Sequence, residues 1–331
     1  MSKVRVVFLG TPEFAVTCLE GIMADEHFEI VGVVTQPDRP AGRKMQLQPS
    51  EVKSYCLSHG LKVITPENIN NELILQQIEV WSAEVAVVVA YGQLLTEKFL
   101  KMFPLGAVNV HGSLLPRWRG AAPIQRAIEH GDTVTGVALQ KIVKKLDAGD
   151  VLGIRKVSIT DETTAHELYQ QLAKESVELL RVELMDYVRG NLAGTQQDET
   201  LVTYAKKIEK SEGCLQWNQS AVQLSQKVRA FNMGPGTWTF FNNKKIKIHK
   251  VKVINENNST FSAVSGMTGA SIKPGMIVNV EGAELWVQTG NGILSLLELQ
   301  PESRNRLTSA EFLKGYGLKK GDVFENEEKN I

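Results

Sequence analysis

The sequence has few cysteines, no long hydrophobic run and no net charge. Its three cysteines, Cys18, Cys56 and Cys214, lie far apart, so we expect neither a disulfide framework nor a zinc site. No apolar run approaches the roughly 20 residues that span a bilayer. The first residues run directly into a strand pattern, which leaves no room for a secretory signal peptide. We therefore expect a reduced, cytoplasmic protein that has no membrane partner.

A dinucleotide-binding fingerprint is missing as well. The first predicted strand, residues 4–10, is followed by Thr11-Pro12-Glu13, so this turn has one glycine where a pyrophosphate loop has three. Thr11 has the position of a helix N-cap, with Pro12 in the first turn. Glu13 places a negative charge where the pyrophosphate would lie, and it would repel an anionic ligand. These features argue against a nicotinamide cofactor.

Two patterns divide the 331 residues, a length that favours two domains. Residues 1–190 alternate short apolar strands with amphipathic helices, which predicts an α/β domain with a doubly wound, mostly parallel sheet. A ligand crevice is expected at the carboxyl ends of its strands. Residues 191–210 are polar and are interpreted as a linker. Residues 211–331 contain five short strand-like runs between turn signals, which predict a second, smaller OB-like β-barrel.

The most informative stretch is residues 109–126, which directly follows a predicted buried strand. Asn109 and His111 are two residues apart on extended chain, so their side chains point the same way. A carboxamide beside an imidazole suits a developing oxyanion and its proton. Asp147 lies in another loop at the same predicted edge. Each side chain alone could be structural, but their convergence at one edge favours a catalytic site.

Charge is unevenly distributed along the neutral chain. Residues 206–252 hold ten Lys and Arg but only two acidic residues. This block is either the footprint of a polyanion or a well-solvated surface. Residues 35–44, after the second strand, form a long connection with three cations, Arg39, Arg43 and Lys44. Loops at this edge of a sheet commonly carry binding residues, although a solvent loop without function remains an alternative.

Several segments together resemble the methionyl-tRNA formyltransferases, which belong to the 10-formyltetrahydrofolate-dependent formyltransferases. The similar segments are residues 10–15, 35–43, 89–92, 109–125, 146–150, 197–205 and 229–232. The resemblance extends over essentially the whole chain. It implies a Rossmann-like catalytic domain over residues 1–190 and a tRNA-binding OB-like domain over residues 211–331. The Asn–His–Asp set indicates the chemistry, whereas residues 38–43 and the second domain indicate the acceptor.

The implied reaction is transfer of the formyl group of 10-formyltetrahydrofolate to the amine of methionyl-initiator tRNA for translation initiation. In this interpretation Asn109 and protonated His111 stabilise the oxyanion, while Asp147 orients His111 and helps to relay protons; no metal is expected. The implied folate-binding residues are Ala90, Tyr91, Gly92, Gln93, Leu94, Ser113, Leu114, Leu115 and Pro116. The implied methionyl-tRNA contacts are Phe14, Arg39, Arg43, Lys44, Lys206, Lys207 and Lys210. We expect a monomer.

Two alternatives remain open at this stage. The first is a formyltransferase that acts on a small amine, such as an amino sugar or a nucleotide precursor. It predicts no affinity for tRNA, and the basic block would then have no ligand. The second is a tRNA- or folate-binding protein without catalysis. Intact Asn109, His111 and Asp147 argue against this second alternative, because binding alone does not require all three groups.

Overall fold

The computed structural model describes residues 2–41, 45–254 and 272–327, and the chain forms two compact units. The first unit comprises Met1–Pro123, Val134–Ser158 and Glu167–Lys206, and the second comprises Ile124–Thr133, Ile159–His166 and Lys207–Ile331. Two short segments from within residues 1–190 thus cluster with the C-terminal part of the chain. The domain boundaries at residues 190 and 210 stay a prediction. Among the described residues, no helix is both long and apolar enough to cross a membrane.

Among the described residues, the first unit contains eleven strands, of which seven form one large sheet and the other four form two pairs. Its strands are β1 (Val4–Gly10), β2 (Phe28–Val34), β3 (Arg39–Ala41), β4 (Gln46–Gln48), β5 (Val63–Ile64), β6 (Val85–Val89), β7 (Ala107–His111), β8 (Arg119–Gly120), β9 (Val134–Lys141), β10 (Val151–Ser158) and β11 (Tyr204–Ala205). The large sheet has the order β10-β9-β7-β6-β1-β2-β5, and the two pairs are β3–β4 and β8–β11. Five neighbouring strands, β7, β6, β1, β2 and β5, run parallel to one another. Strand β9 pairs antiparallel with both β7 and β10. The predicted mostly parallel α/β sheet is confirmed.

Helices follow the strands, as the alternating pattern predicts. They are α1 (Glu13–Met23), α2 (Glu51–Ser58), α3 (Glu72–Glu79), α4 (Glu97–Leu100), α5 (Pro123–His130), α6 (Ala165–Leu179) and α7 (Met185–Val188). Strand β6 is buried at every position, which is expected for a parallel strand covered on both faces. Between α6 and α7 the chain forms a π-helical turn at Leu180–Leu184.

The prediction that Thr11 is the N-cap of α1 is wrong. Pro12 occupies the N-cap position and provides no side-chain cap. The Thr11 hydroxyl instead donates a hydrogen bond to the carbonyl oxygen of Tyr91, at 3.1 Å. Thr11 therefore ties the end of β1 to the chain that follows β6, at the carboxyl edge of the sheet. A pattern of neighbouring residues cannot reveal this partner because it lies 80 positions away.

The second unit contains an antiparallel sheet and helices, and it also includes α5 from Ile124 onward. Its elements are α8 (Ala221–Ala230), β12 (Thr237–Phe241), β13 (Lys244–Ile254), β14 (Ile277–Asn279), β15 (Trp286–Gln288), β16 (Ile293–Pro301), β17 (Leu307–Thr308) and α9 (Ser309–Tyr316). The strand order is β12-β13-β16-β15-β14, with β17 on β16. The predicted smaller β domain is confirmed as an antiparallel sheet.

The two edge strands of this sheet are joined by the C-terminal segment. Phe240 of β12 and Glu325 exchange backbone hydrogen bonds of 2.9 Å in both directions. On the other edge, Met276 forms an isolated bridge with Val323, and the Phe324 amide donates to the carbonyl oxygen of Gly275 at 2.8 Å. The same three-residue segment thus satisfies backbone groups on both edges. It closes the sheet in the manner of a barrel.

Candidate active site

Asn109 and His111 lie at the carboxyl end of β7, between β6 and β9. Because they are two residues apart on one strand, both side chains leave the same face. Asn109 is opposite Gln140 of β9, and His111 is opposite Ala138. Asn109 is half-buried, and its side-chain amide has no hydrogen-bond partner among the described residues. His111 is buried, with 6% of its surface exposed.

The two ring nitrogens of His111 face different oxygens. Nε2 lies 2.9 Å from the carbonyl oxygen of Trp118. Since a carbonyl oxygen can only accept, Nε2 carries the proton of this hydrogen bond. Nδ1 lies 3.7 Å from Oδ2 of Asp147, which is an ion-pair distance but too long for a hydrogen bond. The structure therefore brings His111 and Asp147 together at one site.

Asp147 is held by donors on both carboxylate oxygens. It lies between β9 and β10 with a φ of 49°, in the left-handed region. Oδ2 accepts a hydrogen bond from the Gly120 amide at 2.9 Å, and Oδ1 accepts one from Nε2 of Gln140 at 2.9 Å. Two residues on, a Cβ at Gly149 would overlap the carbonyl oxygen of Lys141. The loop thus folds tightly back onto the end of β9.

The loop after β7 presents the carbonyl group that His111 contacts. The Ser113 hydroxyl donates to the carbonyl oxygen of Arg117 at 2.6 Å, and the Leu115–Pro116 peptide is cis. Trp118 has a φ of 64°, and its amide donates to the Thr203 hydroxyl at 2.9 Å. The Arg117 guanidinium lies 4.4 Å above the centre of the Trp118 ring. These contacts fix the position of the Trp118 carbonyl relative to the imidazole.

The residues expected to bind folate divide by exposure. In the segment after β6, Ala90, Gly92 and Leu94 are exposed, and the first two have φ values of 46° and 90°. In the loop after β7, Ser113 and Leu115 are buried and Leu114 and Pro116 are half-buried. Both segments follow neighbouring parallel strands, so they share the carboxyl edge of the sheet. Their ability to bind folate stays a prediction.

Two side chains of the expected folate set point into the protein. The Tyr91 side chain is buried within the core of the first unit, and its hydroxyl has no hydrogen-bond partner in the described part of the chain. Burial raises the pKa of this hydroxyl. The Gln93 amide accepts from the Ile69 amide at 2.9 Å and donates to the carbonyl oxygen of Pro66 at 3.0 Å. A role of these two residues toward a ligand would thus lie in their backbone.

Two expected methionyl-tRNA contacts lie in the first unit and already have protein partners. Phe14 is 6% exposed, and its ring contacts Tyr169 edge-on at 5.3 Å between centroids. The Tyr169 hydroxyl also accepts a hydrogen bond from the Phe14 amide at 2.9 Å. Arg39 is exposed at the start of β3 and forms an ion pair of 2.9 Å with Glu67. Of residues 35–44, expected as a loop, Arg39–Ala41 form β3 and pair antiparallel with β4, with Arg39 opposite Gln48.

The remaining expected tRNA contacts are basic residues on the surface or outside the described residues. Arg43 and Lys44 fall outside the ranges that the structure describes. Lys206 is exposed in the first unit, and Lys207 and Lys210 are exposed in the second. Lys210 begins a short 3-10 helix. Their contact with tRNA stays a prediction.

We use the name basic strand face for the exposed lysines of β13 in the second unit, Lys244, Lys247, Lys250 and Lys252. All four side chains are exposed, while Ile246 and Ile248 between them are buried. The ladder between β13 and β16 shifts register around Lys250, so lysines on both sides of the irregularity remain exposed. Next to this face, Nζ of Lys245 lies 3.7 Å above the centre of the Trp238 ring. The basic block of the sequence is therefore a surface feature.

Three buried polar side chains were not predicted as part of the site: Gln140 and Gln197, which contact Asp147, and Arg119, which contacts Gln197. Nε2 of Gln197 donates to the carbonyl oxygens of Asp147 and Gly149, at 2.9 and 2.7 Å. Oε1 of Gln197 accepts from Nε and Nη2 of Arg119, at 3.0 and 2.9 Å. Arg119 and Gln197 lie within the segments that carry the family resemblance, which was the available signal.

Metal binding finds no support in the described residues, since no group of three or more His, Cys, Asp or Glu side chains there could hold an ion.

Comparison with known proteins connects this site with a family. Residues 3–183 match the model of the family described as formyl transferase, and residues 207–317 match that of the formyl transferase C-terminal domain. The chain belongs to the formyl transferase family. The first match contains Asn109, His111 and Asp147, and the second contains the basic strand face.

Two curated relatives match the chain over nearly its whole length. A methionyl-tRNA formyltransferase from Bdellovibrio bacteriovorus is 59% identical over 323 residues, which are 97% of this chain and 99% of the relative. A methionyl-tRNA formyltransferase from Sulfurihydrogenibium sp. is 38% identical over 324 residues, 97% of this chain and 100% of the relative. The similarity therefore includes both units.

Solved structures share the fold at much lower identity. WlaRD, a sugar 3N-formyl transferase crystallised in the presence of dTDP and 5-N-formyl-THF, has 17% identity and a TM-score of 0.64 over 92% of this chain and 100% of its own. An N-formyltransferase from Helicobacter canadensis has 18% identity and a TM-score of 0.62, over 91% and 100%. HypX from Aquifex aeolicus has 18% identity and a TM-score of 0.59 over 97% of this chain, which spans only 49% of HypX. These similarities indicate the fold alone.

Proposed function

We propose that the chain transfers the formyl group of 10-formyltetrahydrofolate to the amino group of methionyl-initiator tRNA. The observation that carries this conclusion is the 59% identity to a methionyl-tRNA formyltransferase over 97% of the chain. A second methionyl-tRNA formyltransferase, at 38% identity, supports the same acceptor. Because the enzyme would act on charged tRNA, we place it in the cytoplasm, where translation occurs.

The residues at the carboxyl edge fit the formyl donor. The Asn109 amide is half-buried and has no hydrogen-bond partner in the described ranges, so a carbonyl oxygen bound there would satisfy it. The exposed backbone at Ala90 and Gly92 and the partly exposed side chains of Leu114 and Pro116 offer polar and apolar surface nearby. When bound, 10-formyltetrahydrofolate supplies the formyl carbon. We assign these residues to holding it.

The geometry supports distinct roles for the three candidate catalytic residues. As the acceptor amine attacks the formyl carbon, negative charge develops on the formyl oxygen. The Asn109 amide would donate a hydrogen bond to that oxygen, and one such donor contributes about 3–4 kcal/mol to transition-state stabilisation. The protonated ring of His111 would place positive charge beside it. Asp147, 3.7 Å from Nδ1, would stabilise that positive charge.

Proton transfer completes the proposed reaction. The new bond joins the amine nitrogen to the formyl carbon, and the bond from that carbon to N10 breaks. One proton leaves the attacking amine and one is delivered to N10, so the charges balance. Nε2 of His111 is occupied by the Trp118 carbonyl, so we assign the exchange to Nδ1, the nitrogen that faces Asp147. The proposed proton exchange thus uses Nδ1 of His111 and not Nε2.

The charge distribution of the second unit favours tRNA over a small amine. The basic strand face presents four exposed lysines, and the beginning of this unit adds Lys207 and Lys210. Each lysine that neutralises a phosphate releases a counterion, so tRNA binding should weaken steeply as salt is raised. A small amino sugar would gain nothing from such a surface. The acceptor end would be met by the first unit, where Arg39 is exposed and Arg43 and Lys44 are expected to contribute.

The experiment offers three acceptors to the purified protein together with 10-formyltetrahydrofolate. These are methionyl-initiator tRNA, free methionine and an amino-sugar nucleotide, each followed by mass spectrometry of the product. Formylation of the tRNA alone is expected. Comparable formylation of either small acceptor would contradict the proposed substrate.

A pair of variants tests the assigned chemistry. Asn109→Ala should lower kcat by about 100- to 1000-fold, because it removes the donor to the developing negative charge. Asn191→Ala is the matched control, since Asn191 is an exposed asparagine of the same unit and should leave kcat unchanged. Equal activity of the two variants would remove Asn109 from the mechanism.

A further inference from the structure

Gln197 differs from its neighbours in a segment that the sequence presents as polar linker. Gln196 and Asp198 on either side are exposed, whereas Gln197 is 6% exposed. A buried amide costs free energy unless its donors and acceptors are paired. Both ends of the Gln197 amide are paired: Arg119 donates to its oxygen, and its nitrogen donates to two carbonyl groups of the loop that contains Asp147.

The direction of these hydrogen bonds is fixed by Arg119. A guanidinium can only donate, so the oxygen of the Gln197 amide must face it and the nitrogen must face away. That nitrogen also lies 3.4 Å from Oε1 of Gln140, so Gln140 presents its own nitrogen in the opposite direction. This nitrogen donates to Oδ1 of Asp147 at 2.9 Å. The hydrogen bonds thus form one chain in which each donor points the same way, from Arg119 through Gln197 and Gln140 to Asp147.

Arg119 is itself firmly placed at the start of this chain. It is fully buried, and Nη2 lies 3.0 Å from Oε1 of Glu199. Lys145 contacts the other oxygen of Glu199 at 2.6 Å, and together the two cations hold the pKa of that carboxyl below its usual range. Glu199 therefore remains an acceptor at neutral pH. The donor end of the chain has a fixed position in the first unit.

The backbone of Asp147 needs such support. Its φ of 49° lies in the left-handed region, which a non-glycine residue keeps only when its surroundings determine it. Gln197 binds the carbonyl groups of both Asp147 and Gly149, on either side of Ala148. Gln140 and Gly120 bind the carboxylate. Backbone and side chain of Asp147 are therefore held through one connected set of groups.

We propose that Gln197 is a positioning residue for formyl transfer, because it holds the Asp147 loop and sets the orientation of the Gln140 amide that faces the Asp147 carboxylate. This inference rests on the proposed function, in which Asp147 stabilises the charge on His111. Its amide is already paired with Arg119 and the Asp147 loop, so no role in contacting a substrate is assigned to it. It acts through Asp147.

The test compares Gln197→Met with Gln196→Met. Methionine has nearly the same length but cannot form the hydrogen bonds, and Gln196 is an exposed glutamine next to Gln197. For Gln197→Met, kcat should fall between about 10- and 100-fold, since misplacing a catalytic group by about 1 Å costs up to about 100-fold. KM for both substrates should change less than about twofold. Gln196→Met should match the unchanged protein. A larger KM with unchanged kcat would overturn the inference.

A double-mutant cycle with Asp147→Asn separates positioning from general structural support. If Gln197 acts through Asp147, adding Gln197→Met to Asp147→Asn should cost no further activity. The same fold-loss in both backgrounds would overturn the inference. Full activity of Asp147→Asn would also overturn it, while formylation of methionyl-tRNA by the unchanged protein would leave the proposed function standing.

A crystal structure of Gln197→Met gives a readout independent of activity and shows whether the variant folds. The hydrogen bond from Gln140 to Asp147, 2.9 Å in the unchanged protein, should be lost or the loop displaced. An unchanged loop would overturn the inference. Should Gln197→Met fail to fold, Gln140→Met breaks the next link, and the same cycle with Asp147→Asn then decides.

Discussion

The unpaired hydroxyl of Tyr91 offers a direct test of the structure of the first unit. Tyr91 is 2% exposed, and its side chain belongs to the apolar core that includes Leu9, Val34 and Phe99. In the part of the chain that the structure describes, its hydroxyl has no hydrogen-bond partner. Folding therefore removes this hydroxyl from water without replacing the lost hydrogen bonds. Tyr91→Phe should stabilise the protein.

The magnitude follows from two opposing terms. An unsatisfied buried polar group costs about 1–3 kcal/mol. Removing one oxygen leaves a small void, which costs a few tenths of a kcal/mol at about 24 cal/mol per Å³. A net gain of about 1–2 kcal/mol is expected, which corresponds to roughly 2–8 °C in the melting temperature of a unit of this size. Differential scanning calorimetry at pH 7 resolves such a shift.

Tyr187→Phe is the matched control because its hydroxyl is paired. It donates a hydrogen bond of 2.6 Å to the carbonyl oxygen of Leu105 in the same unit. Losing that bond should destabilise the protein by about 0.5–1.5 kcal/mol. The two Tyr→Phe changes should thus shift the melting temperature in opposite directions. Destabilisation by Tyr91→Phe at pH 7 would refute the reasoning and indicate that the hydroxyl has a partner.

The dependence on pH gives a second readout for Tyr91. Burial raises the pKa of its hydroxyl above the ordinary value of about 10. The unfolded chain therefore loses this proton at a lower pH than the folded unit does. Titration of this hydroxyl therefore leaves the stability of the unchanged protein unaltered below pH ~10 and lowers it as the pH rises further. The advantage of Tyr91→Phe over the unchanged protein should accordingly grow above pH ~10, as measured by urea unfolding.

Three further predictions concern the loop, the cysteines and the basic strand face. Gly149→Ala should lower stability and kcat, because the added Cβ would overlap the Lys141 carbonyl oxygen. Gly315→Ala is the control, since its Cβ would meet no atom within 4 Å, and it should change neither. Calorimetry measures the stability of both variants, and steady-state kinetics measures kcat. Cys18 and Cys56 are buried, and burial raises the pKa of Cys56 to about 11. A thiol reagent at pH 8 should therefore modify both cysteines only after the protein unfolds. Rapid labelling of the folded protein would refute this prediction. Lys247→Ala with Lys250→Ala should reduce the salt slope of tRNA binding by about 2, whereas Lys320→Ala should leave it unchanged.

The sheet of the first unit could be predicted because its strands are continuous apolar runs. The sequence predicts a strand over residues 4–10, and the structure has Val4–Gly10. Strand β6, Val85–Val89, is likewise apolar and buried throughout. Burial on both faces imposes this pattern on the sequence itself. In the second unit, strand-like runs between turn signals were sufficient to predict a β domain, and the structure has strands there such as Lys244–Ile254. Apolar patterning thus indicated element type where the strands are apolar.

Contacts made by single polar groups could not be predicted in the same way. The Thr11 hydroxyl could form a hydrogen bond either with the following helix or with the chain after β6. Only the fold brings the second partner near. The residues after the second strand had too few apolar positions to indicate that Arg39 and Gln48 pair in a hairpin. Likewise, the sequence indicated that His111 and Asp147 meet, but not that Nε2 of His111 already has the Trp118 carbonyl as a partner.

Buried polar chains are the extreme case, because they leave no periodicity. Gln197 lies between exposed residues, and its partners are 48 to 78 positions away. Apart from the family resemblance, which begins at residue 197, local composition does not distinguish Gln197 from Gln196, although the first is buried and the second exposed. Yet these same constraints give Gln197 a role that its neighbour cannot share: its amide has one orientation only, imposed by a guanidinium that cannot accept a hydrogen bond. A site whose groups are oriented from a distance in this way should tolerate exposed substitutions nearby and respond strongly to isosteric ones within the chain.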